Sequence, residues 1–453
     1  MSSSATLPPD NALDLASKLV QRARQAGADA AEALVVEGTS LGVSWRLGKL
    51  EDVERSEGRD LGLRVFIGKR QATVSSTDLT EAALGPMIER AVAMARAAPE
   101  DPYCGLAEPH LLARDWPDLD IDDKSVPPSA EDLATIAAEA EEAALSVKGV
   151  TNSSGAGASY GRSIVTLVTS AGFAGAYAGT SSSFSCSVLA GEGTAMERDY
   201  DFSSARHGAD LERAADVGRR AGEKAVRRLN PRKVNSQSVP VVYDPRVSGG
   251  LVGHFSGAIS GAAIARGTSF LKKAMGGEVF SRGISIVDDP HMKRGLRSKP
   301  FDGEGVKNRR MMLIEEGRLT SWLLDTATAR QLGLQTTGHA ARGTGGPPSP
   351  ATTNLYMEAG CLTVRELIAD IRQGLYITEM IGMGVNGVTG DYSRGASGFW
   401  IENGEIAYPV SEITVAGNLK DMFLNMTPAD DLEFRYGTNA PTLRVEGMTI
   451  AGT

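Results

Sequence analysis

Glycine narrows the choice of fold more than any other feature of this chain. It supplies 52 of 453 residues, well above the usual ~7%. These glycines are interleaved with Val, Ile, Leu and aromatic residues instead of being gathered into linkers, a pattern that reads as turn-rich β structure and not as disorder. At this length the chain buries full hydrophobic cores for two or three ordinary domains without help from disulfides.

Cys104, Cys186 and Cys361 are odd in number and widely spaced, with no C-x-x-C pair. Neither a disulfide framework nor a local zinc knuckle is supported, and reduced thiols in a cytosol fit best. The opening MSSSATLPPDNALD lacks a basic region followed by an apolar core, and no run of about 20 apolar residues appears. The expectation is therefore a soluble, cytoplasmic protein that does not engage membranes. A net charge of −9 opposes a phosphate-binding surface, which gains affinity from concentrated Lys and Arg, so no nucleic-acid partner is expected. The local cluster Arg219, Arg220, Lys224, Arg227, Arg228, Arg232 and Lys233 is read as the solvated face of a helix leading into a linker.

Helix and strand signals alternate in the first half. Ala12, Leu15, Ala16, Leu19 and Ala23 recur at helical spacing before Gly27. Further helices are expected after Asp78, after Ser129 and over residues 211–229, the last stopped by Asn230-Pro231. Strands are expected at 41–47, 61–66, 71–75, 162–169 and 182–190. The polar run 232–238 reads as a flexible domain connection, after which 239–244 (VPVVYD) restarts as a strand. Beyond it the chain reads mostly as β, with Asn403-Gly404 in a type I′ hairpin turn. Two helices interrupt it: a small-residue helix over about 247–265, and one begun by the Thr363/Glu366 capping box. The loop 337–353, TGHAARGTGGPPSPATT, is expected to be mobile or substrate-facing because Gly and Pro at that density do not form a packed element.

Gly382, Gly384 and Gly387 match G-x-G-x-x-G after a strand signal. A dinucleotide site also requires a helix immediately afterwards; another turn follows instead, so a structural turn is expected. His291, His339, Asp288, Asp289, Asp302 and Glu304 are metal-ligating residue types that folding alone would have to assemble, and their spacing does not argue for it. Asp302-Gly303-Glu304-Gly305 reads as a loop fixing backbone amides. Ser256 and Ser397 lie beside glycine but outside G-x-S-x-G. On the small-residue helix, Leu251, Phe255, Ala258, Ile259 and Ala262 form an apolar face, and the glycines and serines between them invite close approach by another backbone. His254 alone does not satisfy zinc, which takes three or four ligands, and is read as a hydrogen-bonded structural histidine.

Four segments carry a resemblance across nearly the whole length: 44–66 (SWRLGKLEDVERSEGRDLGLRVF), 301–306 (FDGEGV), 382–409 (GMGVNGVTGDYSRGASGFWIENGEIAYP) and 443–452 (LRVEGMTIAG). The chain resembles the TldD/PmbA family (peptidase family U62), and its PmbA branch, also called TldE, more than its TldD branch. TldD-type chains resemble zinc proteases, with a His-Glu-x-x-x-His motif early in the C-terminal half and a late cysteine. Here 251–261 reads LVGHFSGAISG and 433–442 reads EFRYGTNAPT. With Gly257 matched to the motif glycine, Gly253 and Ala258 stand at the two histidine positions and His254 at that of the catalytic glutamate. The late cysteine is missing.

The resemblance implies an α/β (α+β) protein of two domains: a mixed α/β domain over 1–232, and a β-rich domain over 233–453 carrying the degenerate metalloprotease region. It further implies a subunit of a TldD/TldE-type metalloprotease complex, a heterodimer or larger, acting on unfolded or ribosomally made, modified peptides. Zinc would sit on the TldD-type partner, with no catalytic residue, metal or other cofactor on this chain. His254, Ser256, Gly257 and His339 are the candidate substrate-channel or interface residues. A self-sufficient homodimeric metallopeptidase and a non-enzymatic peptide-binding or regulatory protein remain open as alternatives.

Overall fold

The computed structural model describes residues 9–452. Helix α1 (Pro9–Gln25) leads into β1 (Ala30–Arg46), β2 (Lys49–Ile67) and β3 (Arg70–Ser76). Helices α2 (Glu81–Ala97) and α3 (Ala130–Leu145) precede β4 (Val150–Thr169), β5 (Ala174–Ala190) and β6 (Glu197–Ala205), and α4 (Ala214–Arg227) follows. The six strands make one antiparallel sheet in the order β3-β2-β1-β4-β5-β6. Side chains alternate across a strand, and β1 shows both outcomes. Ala31, Ala33, Val35 and Val43 join the cores beneath the helices, whereas Leu34 joins Phe173, Phe301 and Val306 on the other face.

The strand segments expected from sequence are parts of longer strands. The first ten residues of β2 are exposed on both faces, and β4 and β5 are built largely from Gly, Ala and Ser, so neither leaves an apolar alternation to read. Helix α3 starts at the expected place through a capping box between Ser129 and Asp132. It packs tightly on α4, where a Cβ on Gly218 would lie 1.9 Å from the Ala140 carbonyl oxygen.

The basic cluster on α4 is not a solvated face. Arg220 and Lys224 pair with Asp201, and Arg228 with Glu197, Asp199 and Glu379. Arg227 and Arg232 lie over the rings of Phe399 and Tyr408. Acidic residues on β6 and on the C-terminal half claim these cations. Nor is 232–238 a free connection: the Arg232 N–H donates to the Pro409 carbonyl at 2.9 Å and Val234 is buried.

The second half runs β7 (Gln237–Tyr243), α5 (Pro245–Ala258), α6 (Gly261–Ala265), β8 (Ile286–Asp289), β9 (Met311–Glu315), β10 (Arg318–Leu319), α7 (Thr326–Leu332), β11 (Ala340–Ala341), β12 (Ser349–Pro350) and β13 (Asn354–Met357). It continues with α8 (Val364–Ile368), β14 (Gln373–Ile381), β15 (Asp391–Glu402), β16 (Glu405–Asn418), α9 (Leu419–Leu424), β17 (Met426–Pro428), β18 (Thr438–Asn439) and β19 (Leu443–Ala451). One sheet has the order β16-β15-β14-β7-β19-β17, and β16 also pairs with β19, so five of its strands close into a small barrel. Beside it lies the sheet β10-β9-β8-β13-β18. Asn403 and Gly404 join β15 to β16 with φ of +51° and +81°, as the type I′ reading requires. The molecule thus combines a helix-covered antiparallel sheet with a β-rich second half. No helix among the described residues is long and apolar enough to cross a membrane.

Segment 301–306 joins the two halves. Phe301 packs edge-on against Trp116, Phe173 and Tyr177 at centroid distances of 4.9, 4.8 and 5.4 Å. The Asp302 carboxylate accepts the backbone N–H groups of Glu304, Val306 and Ala340, so the expected amide-fixing loop is formed. Nearby, Arg64 donates to Glu32 at 2.6 Å and Arg342 also pairs with Glu32, tying β1 and β2 to the loop 337–353.

That loop is therefore not the unpacked segment its Gly and Pro content suggests. His339 and Thr353 are buried, β11 pairs with β12, and Asp288 accepts both the N–H and the hydroxyl of Thr353. Buried carboxylates from elsewhere in the chain supply the hydrogen bonds that its own composition does not.

Candidate active-site cavity

The cavity is built around α5. Strand β7 ends at Tyr243, and Asp244 caps the helix by accepting the Arg246 N–H at 3.0 Å while Pro245 takes the first helical position. Phe255 anchors the inner face, edge-on to Phe280 at 5.2 Å; Phe280 in turn stacks on Phe423 at 4.4 Å. Burying one such ring stabilises by about 1.5–3 kcal/mol, which fixes the rotation of the helix and hence what its opposite face presents.

The expected single helix over 247–265 is broken after Ala258. The Gly261 N–H donates to the Leu323 carbonyl, and the Leu323 N–H to the Ile259 carbonyl. This strand-like exchange takes over the groups that an unbroken helix would bond internally, and α6 restarts beyond it.

Gly253, His254, Gly257 and Ala258 line a cavity of about 350 Å³. Its far wall comes from Phe270, from Met383 and Val385 in the turn after β14, and from Arg394 on β15. The Phe270 N–H donates to the Gly387 carbonyl at 2.9 Å, and the Ser393 N–H to the Gly384 carbonyl at 2.7 Å, so the walls are tied together by backbone. The G-x-G-x-x-G run is thus a packed turn: a Cβ on Gly384 would lie 1.9 Å from the Ser393 oxygen.

Gly253 and Gly257 do not receive another backbone of this chain. A Cβ at either would meet nothing within 4 Å, and the close approaches expected of the small-residue helix occur instead at Gly249 and Gly261. The Ser256 hydroxyl is turned along the helix and donates to the Gly253 carbonyl at 2.9 Å. His339 does not line the cavity; its Nε2 lies 3.2 Å from Asp288, and its Nδ1 2.9 Å from the Thr337 hydroxyl.

His254 departs from the hydrogen-bonded role expected of it. Its ring stands edge-on to Tyr392 at 6.0 Å, while Nε2 is buried with no hydrogen-bond partner. Burial, and then the Arg394 guanidinium, hold its pKa below the ordinary histidine value, so the imidazole is neutral near pH 7. Arg394 Nε is likewise buried and unpartnered. A buried polar atom left without a partner costs about 1–3 kcal/mol, and two such atoms belong to side chains lining this cavity.

Of the other metal-ligating types, the fold gathers Asp302, Glu304, His339 and Asp288 near the joint between the halves. Burial and the Asp302 charge push Glu304 up to about 8. Asp302, solvated by its three backbone N–H groups, is raised less, to about 6, mainly by burial. Among the described residues no three His, Cys, Asp or Glu side chains are grouped so as to hold a metal ion.

Three family models match in succession: PmbA/TldA metallopeptidase domain 1 over residues 31–95, the central domain over 123–229 and the C-terminal domain over 236–452. The metalloprotease PmbA of Escherichia coli O157:H7 is 39% identical over 94% of this chain and 92% of that protein. The chain belongs to the PmbA/TldD metallopeptidase family. A PmbA homologue of Haemophilus influenzae is 38% identical over 96% of this chain and 94% of its own length. Among solved structures, a Bacteroides thetaiotaomicron chain described as a candidate modulator of DNA gyrase superposes with a TM-score of 0.90 at 27% identity, covering 98% of this chain and 99% of that one. TldE of Thermococcus kodakarensis shares the fold, with a TM-score of 0.84 at 21% identity over 97% of this chain and 100% of that chain.

A metallopeptidase family implies a metal, and the cavity residues can be tested for one. Zinc takes three or four N, S or O ligands. This cavity offers one imidazole beside a guanidinium, a set of side chains that does not fit the ion. Arg394, Phe270 and Met383 were not legible as site residues. For Met383 and Arg394 the signal was the density of signature residues in 382–409, far in sequence from the α5 face they oppose; Phe270, just beyond α5, carried none.

Proposed function

We propose that this chain is the subunit of a TldD/TldE-type peptidase that carries no catalytic zinc, working with a TldD-type partner that supplies the metal and the general base. The observation that carries this reading is the cavity lining, where His254 is the one imidazole and Arg394 the one cation; with Gly257 matched to the motif glycine, Gly253 and Ala258 stand where the resemblance puts the two histidines. Amide cleavage near neutral pH needs an activated water and an electrophile for the carbonyl oxygen. Zinc supplies both, and this lining offers one imidazole with no carboxylate or thiolate beside it to hold the ion.

On this reading the open face of α5 at Gly253 and Gly257 is a wall of the substrate channel, and the substrates are unfolded or ribosomally made, modified peptides. The assembly is a heterodimer or larger. We also propose that the polypeptide divides into two domains near residues 232 and 233 with the joint packed, to be checked by whether each half folds when expressed separately.

The test compares peptide hydrolysis by this chain, by the partner and by their mixture, with zinc counted by elemental analysis of each after mild chelation and zinc reconstitution. Turnover only in the mixture, with zinc on the partner, is expected. Chelator-sensitive turnover and stoichiometric zinc on this chain alone would establish the self-sufficient alternative instead. A mixture no faster than the partner would favour a non-enzymatic binding role.

A further inference from the structure

We infer that the α5 cavity is a subsite for the C-terminal carboxylate of a peptide whose last residue is apolar, held between Arg394 and His254. Two of the buried side-chain nitrogens without partners, Arg394 Nε and His254 Nε2, belong to side chains lining this one cavity. Arg394 makes no ion pair among the described residues, although arginines at the joints of the fold, such as Arg228 and Arg246, are paired with carboxylates. A guanidinium with an unmet N–H is suited to an anion, and an oxygen anion makes the shorter, stronger charge-assisted bond. In its Nε2–H tautomer a neutral imidazole contributes a second donor without adding a charge.

The remaining lining distinguishes a chain terminus from other anions. Phe270, Val385 and Leu419 give the cavity an apolar wall, which leaves a hydrated inorganic anion poorly matched. A terminal residue carries its carboxylate and its own side chain on one Cα, so both enter together. The open faces of Gly253 and Gly257 leave room for the preceding backbone to lie along α5. A volume of about 350 Å³ suits one or two residues and not a folded partner.

This assignment rests on the cavity being part of the substrate path, yet its test uses this chain alone. Isothermal titration with acetyl-alanyl-alanyl-leucine as the free acid, the same peptide as its amide, and an amidated peptide ending in glutamate separates the sources of a carboxylate. The free acid is expected to bind about tenfold or more tightly than either amide, the gain from charge-assisted bonds. Arg394→Gln should abolish the preference with the thermal melt unchanged; Arg394→Lys, which keeps the charge but lacks the Nε–H, should reduce it. Equal binding of acid and amide, best binding of the glutamate peptide, no binding at all, or a preference that survives Arg394→Gln each overturns the inference. A failed mixing assay with the acid preference intact removes the proposed partnership and leaves this subsite standing.

Discussion

The Arg228 guanidinium at the end of α4 lies 2.5 Å from the Glu379 carboxylate on β14, and so bolts the first half of the molecule to the barrel. The same guanidinium reaches Asp199 and donates to the Ser397 hydroxyl at 3.1 Å. Removing it strands several acids in a largely buried setting. Arg228→Ala is expected to destabilise the protein by on the order of 2–4 kcal/mol, below the usual cost of breaking a fully buried pair because Glu379 is partly solvated. Arg228→Lys should recover only part, since one ammonium does not reach the same set of partners. Urea denaturation of the three proteins checks this; equal midpoints would show that the bolt carries no load.

Glu304 predicts a pH dependence whose sign is opposite to that of a salt-bridged acid. Its pKa in the folded protein is raised from 4.5 to about 8 by burial and by Asp302, so the folded state binds the proton more tightly than the unfolded chain. Its contribution to stability is complete below about pH 4.5 and is lost as pH rises through about 8. Glu304→Gln keeps a neutral side chain at every pH and should flatten this part of the profile between pH 5 and 8.5. Denaturation midpoints of both proteins across that range supply the measurement, and parallel profiles would rule out Glu304 as the titrating group.

Gly257→Leu should separate stability from activity. Because a Cβ there meets nothing within 4 Å, the folded chain has no clash to relieve, and better helix propensity adds up to about 0.8 kcal/mol. In the mixture with the partner, the same side chain fills the cavity and costs substrate about 1–3 kcal/mol of overpacking, a loss of roughly ten- to hundredfold in turnover per unit substrate. His254→Ala removes one of the two groups proposed to hold the peptide terminus and should raise KM while leaving kcat within about threefold. Melting temperatures with hydrolysis rates test both substitutions.

Gly218→Ala should go the other way from Gly250→Ala. The first places a methyl 1.9 Å from the Ala140 oxygen, the second meets nothing. Helix propensity favours alanine by about 1 kcal/mol at both sites. At Gly218 forcing α3 and α4 apart costs more, for a net loss of about 1–3 kcal/mol. Calorimetry on the pair tests the interhelical contact with a built-in control.

What could be read from sequence was what local chemistry decides. Capping at Ser129 and Thr363, the Asn403-Gly404 turn and the stop before Pro231 each depend on neighbours within a few residues, and each stands where it was expected. Features set by distant partners were hidden. The break after Ala258 exists because Leu323 takes the backbone bonds; the packing of 337–353 depends on Asp288, Asp302 and Glu32. The cavity was half legible: α5 announced itself by its small residues, but Arg394 gains its meaning only when β15 is laid beside His254.

The pairing of β16 with β19 has a consequence for how the protein is made. The barrel takes its first strand, β7, just ahead of α5 and closes only through β19. Until the ribosome has delivered β19, β7 lacks one of its two neighbours and α5 has no completed wall to settle against. Every residue that lines the cavity precedes β19 in sequence, yet the barrel beside it is closed only by that last strand. A chain that stops short of β19 therefore leaves the barrel open along β7 and β16.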